Sequence, residues 1–149
     1  MKKMLTMLAL VIAAPLALQS NAVLAADTEK TKKVVYHVNK ADMNTIKAGL
    51  RNVTNHINSP SGPETQIEIA VHGGGINMLT EARNDPQLQA AIDNVKANGV
   101  EIKVCANTLR GKNLDVKEDL YDTQESDIVP SGVAHVADRQ MEGWAYIHP

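Results

Sequence analysis

The chain has only one cysteine, Cys105, among its 149 residues. A lone thiol cannot close a disulfide within its own chain, so no disulfide framework supports the fold. The same count removes the paired-cysteine zinc motifs. The five histidines, His37, His56, His72, His135 and His148, show no metal-ligand spacing of their own. Phenylalanine is absent, and Tyr36, Tyr121, Trp144 and Tyr146 are the only aromatic side chains. The core has to be built from Val, Ile, Leu, Ala and Met, which bury less area per residue than aromatic rings. Assembly with further copies is expected to help stabilise it. Low-complexity tracts and internal repeats are also missing.

Only one stretch is long and apolar. Met4 to Leu18 is uncharged and broken near its end by Pro15; it follows Lys2 and Lys3 and precedes the small residues Val23, Ala25 and Ala26. A positive start, a short apolar run and a small-residue cleavage site predict an export signal over residues 1–25, leaving a domain over 26–149. The run is too short, and the chain after it too polar, for a membrane span. No cysteine follows it to carry a lipid. A lysine-rich start suits a bacterial envelope, so the mature protein is expected in the periplasm, free of the membrane once the signal is removed. Taking away Lys2 and Lys3 leaves 13 of the 15 basic residues against 17 acidic ones, a net charge of −4. That mild acidity argues against nucleic acid or anionic lipid as the main partner. The remaining 124 residues suffice for one domain and not comfortably for two.

Along the mature chain the hydrophobic period alternates between two and three-to-four. Val34–Val38 is a β-branched run and reads as a first strand. Met43, Ile46, Leu50, Val53 and Ile57 lie on one face of a helix within 40–58. Gln66–His72 is a second strand running into Gly73-Gly74-Gly75, followed by a short helix over 76–83. Asp85 and Pro86 have the character of an N-cap and first helical residue, and Gly99 stands where that helix should end. Val100–Cys105 is a third strand, and Asn107-Thr108 caps a helix to about Leu114. Residues 115–127 are charged and aperiodic and read as a loop with at most a helical turn. Ile128-Val129 is a short strand, Ser131 caps a helix closed by Gly143, and Trp144–Ile147 is a last strand. Strands alternating with helices predict an α/β fold, a mostly parallel sheet of about five strands with helices on both faces.

In such a sheet, ligands sit beyond the carboxyl ends of the strands. Val38-Asn39, His72–Gly75, Cys105–Thr108 and Pro130–Gly132 all fall there. Cys105 precedes a helix start, where free N–H groups and the helix dipole favour a thiolate, the form that attacks a sulfane donor and carries a persulfide. The competing reading is a small hydrophobe at the end of its strand. His72 ends the preceding strand and is a candidate proton donor or electrostatic partner for Cys105, or a histidine bonded to a loop carbonyl. Arg110 is a candidate nearby cation, or a solvated helix residue. The glycine triplet lacks the Lys-Ser/Thr of a P-loop and the spacing of a dinucleotide fingerprint, and a tight turn explains it equally well. No cofactor and no metal are expected.

Val104-Cys105-Ala106-Asn107-Thr108-Leu109-Arg110-Gly111, after a β-branched strand, resembles the cysteine loop of the DsrE/DsrF-like sulfur-relay family. Val129–Ala134, Gly143–Ile147, Val35–Val38 with Asn52–His56, and Val71–Gly73 resemble the exported single-domain members in order and spacing. The resemblance covers essentially the whole mature chain. It implies a flavodoxin-like parallel sheet, assembly into trimers or hexamers and, for relay members, transfer of sulfur as a cysteine persulfide between a donor and an acceptor protein. Cys105 is the position that would carry the sulfur; His72 and Arg110 inherit no role from the motif. The family's cysteine loop tends to be richer in alanine than Cys105–Thr108, and its well-understood members work in the cytoplasm.

These readings together predict a periplasmic sulfur carrier or sulfurtransferase-like protein. The alternative is a non-catalytic oligomeric module of the same fold that binds a small ligand or a protein, with Cys105 merely packed. Thiol reactivity separates the two, because a binding module has no use for a thiolate.

Overall fold

The computed structural model describes residues 31–149, so the expected signal over residues 1–25 lies outside the described residues. The chain begins with β1 (Lys32–Val38), followed by α1 (Met43–Ile57). The helix starts after the expected position 40 because the Asp42 side chain caps it, accepting from the Thr45 N–H at 2.8 Å. Its Ile46, Leu50 and Val53 are buried, as the spacing predicts.

The chain continues with β2 (Thr65–Val71), α2 (Asn77–Thr80), α3 (Pro86–Ala97) and β3 (Glu101–Cys105). Asp85 caps α3 by accepting from the N–H groups of Gln87 and Leu88, with Pro86 in the first turn. Gly99, at φ +81°, carries the chain out of that helix, as a residue without a Cβ does readily. Beyond β3 come α4 (Ala106–Lys112), α5 (Val116–Asp119), β4 (Ile128–Val129), α6 (Gly132–Met141) and β5 (Ala145–Ile147). Within 115–127 the chain forms two short turns, α5 and a 3-10 turn over Glu125–Asp127. The α5 turn forms through a local cap, Asp115 accepting from Lys117 and Glu118 N–H, rather than through an apolar period.

All five strands are parallel, in the order β4-β3-β2-β1-β5. The first four strands therefore step across the sheet in one direction, and the last connection returns to the far side of β1. Right-handed crossovers made in one direction place their helices on one face, and a return crossover places its helix on the other. The side chains follow this rule. Val34, Tyr36 and Val38 of β1, Ile67, Ile69 and Val71 of β2, and Ile102 and Val104 of β3 pack with α1, α2 and α3 in the main core. The alternate residues Val35 and Ala70 face the other way and pack with Val136 of α6 and with Trp144. Val, Ile and Leu dominate this core, as the scarcity of aromatics requires. No helix among the described residues is long and apolar enough to cross a membrane.

The glycine triplet is accounted for by packing. A Cβ on Gly75 would lie 2.0 Å from the Val38 carbonyl oxygen, and one on Gly74 would lie 2.7 Å from the Ala41 nitrogen. The turn after β2 passes directly against the backbone leading from β1 into α1, where only glycine fits.

The α6 face is held by charge as well as by apolar contact. Glu68 of β2 is 1% exposed and hydrogen-bonds His135 and Arg139, one turn apart on α6; the Arg139 contact is 3.1 Å. Arg139 also pairs with Glu142 at 2.8 Å and lies 4.9 Å from the centre of the Trp144 ring. Removing one partner of a buried ion cluster leaves the others desolvated and unpaired. Glu68→Ala is therefore expected to lower stability by about 2–3 kcal/mol, less than for a fully buried pair because Arg139 keeps some water. Urea unfolding of the variant beside Glu68→Gln, which keeps the shape and loses less, checks this. Equal stability of Glu68→Ala and the wild type would refute it.

Candidate functional site

Cys105 is the last residue of β3 and the N-cap of α4, so the helix starts two residues earlier than a cap at Asn107 predicts. The residue is 5% exposed, yet it belongs to neither apolar cluster. Its Sγ closes no cap hydrogen bond as a thiol, and a neutral sulfur is a weak acceptor. The thiolate is a far stronger one, and four donors face it. Burial by itself pushes the Cys105 thiol up. The Gly132 N–H, the Thr108 hydroxyl and the N–H groups of Thr108 and Asn107 outweigh it, and the net shift is downward from the ordinary thiol value.

The Thr108 hydroxyl is oriented for this work. Its oxygen accepts the Gly73 N–H at 2.8 Å, and a backbone N–H can only donate. The hydroxyl hydrogen is thus left for Sγ. This one side chain ties the glycine turn after β2 to the cysteine loop after β3.

Gly132 approaches from the other side. It is the first residue of α6, preceded by its cap Ser131. A Cβ there would lie 2.8 Å from the His72 Cβ and 3.1 Å from the Cys105 Cβ. The absence of a side chain lets the helix start descend onto the sheet edge and bring its N–H to the sulfur.

His72 stands beside Cys105 because β2 and β3 are neighbours. Val71 pairs with Val104, so the two residues that follow end adjacent strands side by side. The His72 ring does not stand alone: its Nε2 meets the His37 Nε2 of β1 at 2.5 Å, and the His37 Nδ1 meets the Tyr146 hydroxyl of β5 at 2.7 Å. His148 lies 5.5 Å from His37, ring centre to ring centre, with its Nε2 on Asn39 Oδ1 at 3.0 Å. Burial, then the neighbouring His72 and His148, push His37 down to about 4; burial also lowers His72. Both rings are neutral at neutral pH. Arg110 is exposed on α4 and hydrogen-bonds the Asn107 side chain. Among the described residues no group of three or more His, Cys, Asp or Glu is arranged to hold a metal ion.

The site therefore unites Cys105 and His72, named from sequence, with Thr108, Gly132, His37 and Tyr146, which sequence reasoning did not single out as site residues. The missing signal was period two. His37 lies two residues beyond inward-facing Val35, and His72 two beyond Ala70, so both continue the row that faces α6.

What the strand order and this edge thiol define is a three-layer α/β protein with its most nucleophilic group at the carboxyl ends of a parallel sheet. Comparison of sequences narrows that class: a sequence model of the DsrE/DsrF-like family matches residues 22–149, and the chain belongs to this family. Among solved structures it is similar to "Protein of Unknown Function MTH1491 from Methanobacterium thermoautotrophicum", with a TM-score of 0.66 and 31% identity over 79% of this chain and 99% of that one. No curated protein matches the chain.

Two outcomes are expected. Thr108→Val removes the oriented hydroxyl, so the Cys105 pKa rises and alkylation by iodoacetamide at neutral pH slows several-fold, with the rate recovered at high pH. A pH–rate profile reads this, and an unmoved profile would refute the thiolate role of Thr108. For His37, whose pKa falls on folding to about 4, the unfolded chain binds more protons between about pH 6.5 and 4, and the lowered His72 acts in the same direction. Stability is then lost as pH drops through that window. Denaturation curves measured across it should flatten in His37→Gln.

Proposed function

We propose that the protein is a periplasmic sulfur carrier of sulfurtransferase type, holding a persulfide on Cys105. The observation that carries this reading is the single buried thiol whose anion is met by four donors at the working edge of the sheet. Structural thiols in apolar surroundings are shifted the other way. Membership of the sulfur-relay family supports the same chemistry. In the reaction the Cys105 thiolate attacks the outer sulfur of a donor persulfide, R–S–SH. A new S–S bond forms at Sγ, the donor S–S bond breaks, and R–S⁻ leaves. A second nucleophilic thiol reverses these roles and takes the sulfur onward. The partners are a donor and an acceptor protein of the envelope, the compartment indicated by Lys2, Lys3 and the apolar run that follows them.

A carrier has to keep its persulfide from adventitious thiols, and assembly into a trimer or hexamer would serve that purpose. Val133 and Met141 of α6, 65% and 79% exposed, support such an assembly, since they present apolar surface on the α6 side of the sheet.

Intact mass of the mature protein after incubation with polysulfide tests the reading, with Cys105→Ser in parallel. Added sulfur atoms are expected on the wild type alone, removable by a reductant. A thiol that takes up no sulfur until the protein unfolds would leave the binding module of the same fold as the better description.

A further inference from the structure

We propose that Tyr146, His37 and His72 form a hydrogen-bonded proton path across the α6 face of the sheet, and that its inner end, His72, protonates the thiolate expelled when a sulfur compound reacts at Cys105. The inference rests on the nucleophilic role of Cys105 and adds to it a route for the proton.

Tyr146, His37 and Cys105 stand on β5, β1 and β3, and His72 directly follows the end of β2, so the four lie in the spatial order β5, β1, β2, β3. Tyr146 and His37 meet at 2.7 Å, His37 and His72 at 2.5 Å, and His72 and Cys105 flank the same glycine, Gly132. Register brings them together: Val35 pairs with Tyr146 and His37 with Ala70, so each contact steps diagonally up the sheet towards its carboxyl edge. The outer end opens to solvent, for Tyr146 is 43% exposed. The inner end meets the edge where Cys105 receives its substrate.

Two facing Nε2 atoms at hydrogen-bond distance require one N–H and one lone pair. With Tyr146 donating to His37 Nδ1, His37 carries its hydrogen on Nε2 and donates to His72, whose own hydrogen then lies on Nδ1. The reverse arrangement inverts every bond. The groups facing His37 are His72, Tyr146 and His148, with Lys40 along the cleft it shares with His37 and His148; His72 faces His37 and lies across Gly132 from Cys105. None is a carboxylate, so nothing holds a resting imidazolium, and the path works between neutral tautomers.

In the step itself the Cys105 thiolate forms a bond to a sulfur of the donor, and the donor S–S bond breaks with its electron pair on R–S⁻. That thiolate takes the His72 hydrogen. His72 is refilled at its other nitrogen from His37, His37 from Tyr146, and Tyr146 from water, which is left as hydroxide. One solvent proton has become the hydrogen of R–SH.

Such help matters only when the leaving thiol is basic; an acidic thiol departs unaided. The test is therefore the rate of exchange of Cys105 with two disulfides, hydroxyethyl disulfide, which expels an alkyl thiolate, and dithiodipyridine, which expels an acidic aromatic one. In His72→Gln and His37→Gln the alkyl-to-aromatic rate ratio should fall about tenfold or more. In Tyr146→Phe, a mild change at an exposed site, it should fall less, because water reaches His37 in place of the hydroxyl. Equal slowing with both reagents, an unchanged ratio, or a wild-type thiol inert to both would overturn the path. The sulfur-uptake experiment is separate. A wild type that takes up no sulfur but shows the leaving-group effect keeps the path and loses the carrier reading. Sulfur uptake with an unchanged ratio does the reverse.

Discussion

The position of α6 is the constraint on which the site depends, and a buried carboxylate sets it. Glu68 points out of β2 towards α6 and engages His135 and Arg139 together. A carboxylate in that place is tolerated only because the Arg139 guanidinium and the His135 ring both arrive from the same helix. The apolar contacts there are few, Val35 and Ala70 against Val136 and Trp144, so the polar clamp has a large share in fixing where the helix lies. Ser131 and Gly132, at the start of that helix, are thereby delivered to the sheet edge. A displacement of α6 away from the sheet edge would withdraw the Gly132 N–H from the sulfur.

Burial acts on the site's titratable groups in different ways, and the balance of partners decides each result. Desolvation raises Cys105 and lowers His37 and His72, favouring the neutral form in every case. The thiol escapes this because Gly132, Thr108 and Asn107 supply donors aimed at an anion. The histidines do not escape, because their neighbours are other histidines and a tyrosine. The outcome is a thiol inclined to ionise beside imidazoles inclined to stay neutral. A nucleophile and a neutral proton carrier are the pair that sulfur exchange needs, and no permanent ion pair locks them together.

Family membership and fold agree here on different grounds. The family sequence model spans residues 22–149, and a relative of known structure is matched over nearly its whole length. The strand order 4-3-2-1-5 has a physical consequence independent of either. Returning the last strand beside β1 brings Tyr146 next to His37, and it assigns the closing helix to the face that Cys105 shares with His72. A chain that added its fifth strand beyond β4 would keep every element and lose this site.

By itself the sequence determined the kind of element at nearly every point, because hydrophobic period, caps and glycines act over a few residues. Asp85-Pro86 opened a helix, Gly99 and Gly143 left helices at positive φ, and Cys105 ended a strand at the edge where ligands bind. The local rules were weakest where a single cap outweighed periodicity: Asp42 moved the start of α1, and Asp115 set a helical turn that no apolar period marks. The partners of Cys105 and His72 were decided only by the tertiary structure. Thr108 meets Gly73 across 35 residues, His72 meets His37 across another 35, and Tyr146 meets His37 across 109. Contacts at such separations follow from strand order and register, which no local window of sequence specifies, since many pairings of the same strands would satisfy the same hydrophobic pattern.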